Sequence, residues 1–280
     1  MRAEAFAKVN FTLEVFGKRA DGYHALRSVV MPISLADTLE VETADDGTVT
    51  SDTGYDDDLC VKAARILKSS VSGLPSSLGA VIRVIKRIPA GGGLGGGSAD
   101  AAAVLRALNE LWKVGLSREE LAEIGAQVGS DVPSLVMGGS VIMEGRGEKV
   151  TPLFNLQPST FNLILVNPGV HSSTKEVYGA CEARALSDEN ATAKMVAALG
   201  EGDVGKIAAA LMNDLQAPAV KLHPEIADAL VSLRTAGVVG AMMSGSGSSV
   251  FGLVENESEA RRISSEMNAR GYKAWPVQTV

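Results

Sequence analysis

Residues 89–99 read Pro-Ala-Gly-Gly-Gly-Leu-Gly-Gly-Gly-Ser-Ala, which places six of the chain's 30 glycines in eleven positions. The segment before them, Val81–Ile88, is rich in β-branched residues and predicts a strand. The segment after them, Ala99–Trp112, is rich in Ala and Leu and predicts a helix. The glycines therefore join a strand end to a helix start. Glycine has no Cβ, so its backbone reaches positive φ and lets a ligand come close. The first N–H groups of a helix have no internal acceptor, and the helix dipole adds partial positive charge there. Together these features predict an anion site, most often one for phosphate. A flexible linker explains neither the glycine density nor the strand and helix directly at its ends.

Three phosphate loops compete for this stretch. A P-loop needs G-x-x-x-x-G-K-[ST], and here Gly97 runs straight into Ser98 with no lysine. A dinucleotide fingerprint is present as Gly91-x-Gly93-x-x-Gly96, but it needs an acidic residue about 20 positions on, at the end of a second strand. That place falls near Glu119 and Glu120, inside a second helix opened by a Ser117–Glu120 capping box. Strand-loop-helix-helix is not a βαβ unit, which demotes a nicotinamide cofactor. The third reading is a proline-led glycine loop in which Ser98 offers its hydroxyl to phosphate or Mg²⁺.

Composition narrows the partners. A chain of 280 residues is long enough for two domains with a core in each. A net charge of −7 disfavours nucleic acid and anionic membrane as partners and leaves an anionic substrate open. Cys60 and Cys181 are the only cysteines, so no disulfide framework is expected, and a reducing, cytoplasmic setting is. With three histidines and these two cysteines at wide spacing, no zinc motif emerges. The N-terminus lacks the apolar stretch of a signal peptide, and no apolar run is long enough to span a membrane. The expected assembly is a monomer or a homodimer.

Along the chain, Ala5–Phe16 predicts a strand on which Lys8 and Asn10, two residues apart, face the same side. Arg19-Ala-Asp-Gly-Tyr-His24 is a polar turn. Two strands are expected at 26–35 and 38–43, an aspartate-rich loop and short strand at 44–58 whose last aspartates lie near a helix start, and a helix at 59–71. Pro133 marks Gly129-Ser-Asp-Val-Pro133 as a helix end or tight turn. A domain boundary is expected between residues 155 and 156, inside a Pro, Asn and Gln patch. Beyond it come a strand at 161–167, a helix start around Thr174 and Tyr178, and a helix ending at Asn213–Gln216. A Gly/Ser turn at 243–251, a helix at 257–270 and a strand at 273–280 complete the chain. Strands mixed with helices predict an α+β fold. Residues 187–204 carry no functional reading.

The loop Pro89-x-Gly-Gly-Gly-Leu-Gly-Gly-Gly-Ser98 resembles the ATP loop of the GHMP small-molecule kinases, which include galactokinase, homoserine kinase and mevalonate kinase. The opening Ala3-x-Ala5-x-Ala7-Lys8-Val9-Asn10, the Arg19–His24 run, Gly129–Pro133 and Met243–Phe251 resemble further motifs of that family. They fit best its branch whose acceptor alcohol carries a cytidine diphosphate. The resemblance implies an N-terminal domain like ribosomal protein S5 domain 2, a ferredoxin-like C-terminal domain, and an active site between them. It implies ATP on Pro89, Ala90, Gly91, Gly92, Gly93, Leu94, Gly95, Gly96, Gly97, Ser98 and Ala99, with Mg²⁺ whose protein ligands are unassigned. It implies Asp131 as the base for the acceptor hydroxyl, Lys8 as its cationic partner and Asn10 near the phosphate-accepting end. Cytosine is expected between the rings of Tyr23 and Tyr178, with His24 at its polar edge.

Overall fold

One strand of 21 residues, His24–Ala44, carries the first sheet. The sequence pattern predicts two strands there, yet the chain runs through unbroken because partners along both edges keep its backbone paired. The computed structural model describes residues 1–153, 160–182 and 190–280. In chain order the first half holds β1 (Arg2–Asn10), β2 (Thr12–Lys18), β3 (His24–Ala44), β4 (Val49–Ser51), α1 (Leu59–Ser70) and β5 (Gly79–Ile85). It continues with α2 (Gly96–Leu111), α3 (Arg118–Val128), α4 (Val132–Met137), β6 (Val141–Gly145) and β7 (Lys149–Pro152). The second half holds β8 (Asn162–Asn167), α5 (Thr174–Gly179), α6 (Ala191–Glu201), α7 (Val204–Ala210), β9 (Met212–Asn213) and α8 (Gln216–Leu222). It ends with α9 (Glu225–Thr235), β10 (Gly240–Met243), β11 (Val250–Val254), α10 (Glu257–Ala269) and β12 (Lys273–Gln278). The expected boundary between residues 155 and 156 lies outside the described residues, as do residues 187–189 of the stretch without a reading.

β3 pairs antiparallel with β2 and β1 along one edge and with β6 and β5 along the other. The predicted single strand over Ala5–Phe16 is two strands, because Phe11 breaks the run and turns its ring into the core, 0% exposed. Helices α1 to α4 cover the sheet. Asp58 caps α1 by accepting from the N–H groups of Cys60 at 2.7 Å and Val61 at 3.4 Å. Ser117 and Glu120 close the expected capping box on α3.

The second sheet is antiparallel in the order β10-β11-β8-β12. With α9 before β10 and α10 between β11 and β12, this is the ferredoxin-like arrangement. The two sheets share one core, in which Phe11 stacks on Phe251 with centroids 5.6 Å apart. The second half also feeds the first sheet: β9 pairs parallel with Thr12 and Leu13 of β2. Asn213–Gln216 therefore leads from β9 into the first residue of a helix, α8, rather than ending one.

Glu14, fully buried on β2, ties α6 to the first sheet. Its carboxylate takes Arg27 Nε at 2.9 Å and an Arg27 terminal nitrogen at 3.0 Å. It also accepts from the N–H groups of Ala191 and Thr192 and from the Thr192 hydroxyl, at the N-terminus of α6. Burial works against the charge, but the hydrogen bonds from Arg27, Thr192 and Ala191 outweigh it and hold the carboxyl below its ordinary value of 4.5. The unfolded chain thus takes up this proton first, so the stabilisation is present above that value and is lost as pH falls through the lower folded value. Glu14→Gln is expected to cost about 2–3 kcal/mol at neutral pH, since hydrogen bonds to a charged group are lost. It should also flatten the acid limb of the stability curve, as measured by urea unfolding at a series of pH values.

Candidate active site

The glycine loop follows β5, and α2 begins inside it, at Gly96 rather than at Ala99. Gly91, Gly93 and Gly95 have φ of 65°, 72° and 68°, the left-handed region that glycine enters without strain. The inner side of the loop is fastened to two strand ends. Lys8 N–H at the end of β1 donates to the Leu94 carbonyl at 3.0 Å, and the Leu94 side chain is buried. The turn between β10 and β11 adds the Ser249 N–H to the Gly92 carbonyl at 3.1 Å and the Ser244 hydroxyl to the Gly93 carbonyl at 3.0 Å. A Cβ on Gly93 would stand 2.1 Å from the Ser244 carbonyl oxygen. With its inner side so held, the loop presents the start of α2 to a cavity of about 360 Å³ between the two sheets.

At the helix end of the loop lie Lys8 and Asp131. Lys8 is 4% exposed, and its Nζ donates to Asn10 Oδ1 at 2.7 Å and stands 3.5 Å from Asp131 Oδ2. Asp131 occupies the N-cap position of α4, yet its side chain caps nothing there. Its carboxylate, 34% exposed, is left to the cavity and to Lys8. A Cβ on Gly95 would meet Lys8 Cε at 3.2 Å and Asp131 Oδ2 at 3.6 Å, so the pair sits against the first turn of α2. Asn10 commits both ends of its amide: Oδ1 accepts from Lys8, and Nδ2 donates to Ser28 Oγ at 2.8 Å.

The two ends of the loop are drawn together by an ion cluster that the sequence analysis did not find. Lys86, just before the loop, binds Asp37 at 2.5 Å and Asp100 on α2 at 2.6 Å. The other Asp37 oxygen accepts from the N–H groups of Arg87 and Ile88. Burial pushes the Asp100 carboxyl up to about 7 against the pull of Lys86, with the charge of Asp37 adding to the rise. One Asp100 oxygen, Oδ1, has no hydrogen-bond partner. The signal available in sequence was a lysine and an aspartate set close on either side of the loop.

The far wall of the cavity is formed by Leu13, Leu26, Met143, Thr174 and Tyr178. The ring against Tyr178 is His24, not Tyr23: the His24 and Tyr178 centroids are 5.6 Å apart with planes at 29°. Burial, and then the nearby charge of Lys18, hold the His24 imidazole below its ordinary range. Burial and then the negative charge of Asp131 push the Tyr178 phenol upward. Tyr23 is 53% exposed and lies under the Arg146 guanidinium, 5.4 Å from its ring centroid. Thus Lys8, Asn10, residues 89–98, Asp131 and Tyr178 line one cavity, and His24 joins through Tyr178. Ala99 is buried behind the loop, and Tyr23 is outside the lining. Ser28, Ser172, Thr174 and the Gly245–Gly247 turn also line the cavity. Among the described residues no group of three or more acidic, histidine or cysteine side chains is arranged to hold a metal.

A glycine loop ending on a helix start, with a buried lysine and an open carboxylate at its end, defines a phosphotransferase that acts on a small molecule. The comparisons with known proteins agree. The family model for the GHMP kinases N terminal domain matches residues 58–139, and that for the GHMP kinases C terminal matches residues 195–273. The chain is 44% identical, over 93% of its length and 91% of the relative's, to a 4-diphosphocytidyl-2-C-methyl-D-erythritol kinase of Pelotomaculum thermopropionicum. It is 39% identical, over the whole of both chains, to one of Symbiobacterium thermophilum. A crystal structure of 4-(cytidine 5'-diphospho)-2C-methyl-D-erythritol kinase superposes with a TM-score of 0.84 at 35% identity, covering 100% of this chain and 99% of the other. A mevalonate kinase structure shares the fold, with a TM-score of 0.71 at 17% identity and coverage of 100% and 99%. This chain belongs to the GHMP kinase family, and ATP is the phosphoryl donor that the family implies.

Gly93→Ala is expected to cost about 2 kcal/mol of stability, because the residue combines positive φ with a Cβ aimed into a carbonyl oxygen. Gly97→Ala should cost less, since the nearest atom to its Cβ is a Leu59 methyl at 3.5 Å. Thermal unfolding of the two variants side by side checks the difference.

Proposed function

We propose that this protein transfers the γ-phosphoryl group of ATP to the 2-hydroxyl of 4-diphosphocytidyl-2-C-methyl-D-erythritol, a step toward isoprenoid precursors that does not pass through mevalonate. The observation that carries this reading is the Lys8–Asp131 pair, 3.5 Å apart at the helix end of the glycine loop. Its setting is a chain whose near relatives bear that kinase's name.

Phosphoryl transfer needs little covalent help from a protein; positioning and charge stabilisation supply most of the rate. The backbone N–H groups of residues 91–98 and the dipole of α2 bind the triphosphate. Asp131 accepts the proton of the attacking hydroxyl. Lys8 sits between that carboxylate and the first turn of α2, where it balances the charge that moves onto the transferring group. Asn10 fixes the Lys8 ammonium by its 2.7 Å hydrogen bond and is held in turn by Ser28. Mg²⁺ carried in by the nucleotide fits this donor set, in which Ser98 offers a hydroxyl, because Mg²⁺ is commonly held by few protein groups plus phosphates and water. The cytosine lies along the wall where Tyr178 meets His24, and the neutral imidazole edge reads its polar atoms. A chain whose cysteines are Cys60 and Cys181 alone fits a cytoplasmic enzyme, acting as a monomer or homodimer.

ADP release is expected with the cytidine substrate and not with methylerythritol phosphate, homoserine or mevalonate, measured in one coupled assay across that panel. Turnover of homoserine or mevalonate at a comparable rate would overturn the acceptor assignment. Asp131→Asn should keep nucleotide affinity while kcat falls about 10²–10⁴-fold, the usual contribution of a positioned base. His24→Ala should raise the acceptor KM about tenfold or more, as lost base contacts of 1–3 kcal/mol imply, with the Kd for an ATP analogue unchanged. Steady-state kinetics with separate nucleotide titrations resolve the two effects.

A further inference from the structure

A second pocket, of about 320 Å³, adjoins the glycine loop at Pro89 and Ala90 but does not share the Lys8–Asp131 end. Its wall is unusual for a chain with a net charge of −7: it brings Arg87, His171 and Lys273 together and includes no acidic side chain. All three basic residues are exposed, and among the described residues neither Arg87 nor Lys273 has an ion-pair partner. Trp275 is half-buried in the same wall. Lys273 and Trp275 stand two apart on β12 and so face one side of the sheet, with Lys273 paired to Asn167 on β8. Asn167 is itself held rigid, donating to Ser249 Oγ at 3.1 Å and accepting from the Gly169 N–H at 2.8 Å.

Basic side chains gathered in a pocket wall with no acidic side chain leave a local excess of donors and positive potential there, which favours an anion. The guanidinium fork and the ammonium match phosphate oxygens, and the indole face next to them suits the body of an organic ligand. The pocket is of small-molecule size. We propose that it is a second anion site, distinct from the nucleotide site, which takes a small molecule bearing a phosphate or diphosphate group. The two sites share a wall. The His171 imidazole packs directly on Gly91, where a Cβ would stand 2.2 Å from Nδ1, so an occupant that engages His171 touches the outside of the phosphate loop.

The test uses the full chain, with the nucleotide site filled by a saturating non-hydrolysable ATP analogue, so that the glycine loop cannot take the probe. Trp112→Phe removes the other tryptophan, a buried residue at the end of α2, and leaves Trp275 as the only indole reporter. Inorganic pyrophosphate is then titrated at constant ionic strength while tryptophan fluorescence is read. The expected result is a saturable change whose Kd rises about tenfold or more in Arg87→Gln/Lys273→Gln, since each lost charge-assisted contact weakens binding by that order. Both replaced side chains are exposed, so the double variant should keep its fold and its turnover. Absence of a saturable change in the parent would overturn the proposal. So would an unchanged Kd in a folded double variant, which would place the pyrophosphate elsewhere.

Discussion

The carbonyl of Ser244 fills the space where a side chain on Gly93 would go, and much of this molecule's organisation follows from that contact. The loop belongs to the first sheet and its helices; the turn that carries Ser244 joins β10 to β11 in the second. Hydrogen bonds at Gly92 and Gly93 fasten one to the other. The turn is braced from below by Asn213, which donates to the carbonyls of Met243 and Gly245 at 2.9 Å each. Asn213 is in turn part of the short strand that the second half adds to the first sheet. The glycine loop is thus a joint between the halves, and the cavity exists because the halves meet there.

Behind that joint runs a chain of polar groups, most of them buried. It starts at Asp131 and Lys8 and passes through Asn10, Ser28 and Thr12 to Thr192, Glu14 and Arg27. Burying a lysine is costly unless its charge is paired and its protons are taken up. Here Asp131 pairs the charge and Asn10 accepts one of the protons, and each later member of the chain has its own partner. Such a network holds its members in one arrangement because any displacement leaves a buried group unsatisfied. The Lys86 cluster acts in the same way on the other side of the loop, between the strand end and the helix start.

The loop's character, its strand and its helix were legible in the sequence, because glycine density and the switch from β-branched residues to alanine act over a few neighbouring residues. The caps at Asp58 and Ser117 were legible for the same reason. The extent of β3 was not: its unbroken run depends on β1, β2, β5 and β6 lying along its edges, and those pairings are long-range. Tyr23 and His24 show the limit at the level of single residues. They are adjacent in sequence, and the motif they share suggests one base-binding unit. At the start of an extended strand, successive side chains point opposite ways. His24 therefore meets Tyr178, and Tyr23 goes out to Arg146.

By itself, the sequence determined that a glycine loop would sit between a strand and a helix, and that Ser117 would open the helix after that one. Local backbone preference and capping decide these matters within a few residues. Only the tertiary structure decided that Lys8, from the first strand, would stand beside Asp131 at the start of a later helix. It alone decided too that Lys86 would be shared by Asp37 and Asp100, and that Arg87, His171 and Lys273 would meet in one pocket wall. The meeting of charges so far apart in the chain depends on sheet register and on how the two halves pack. Neither is written in the neighbourhood of any one residue.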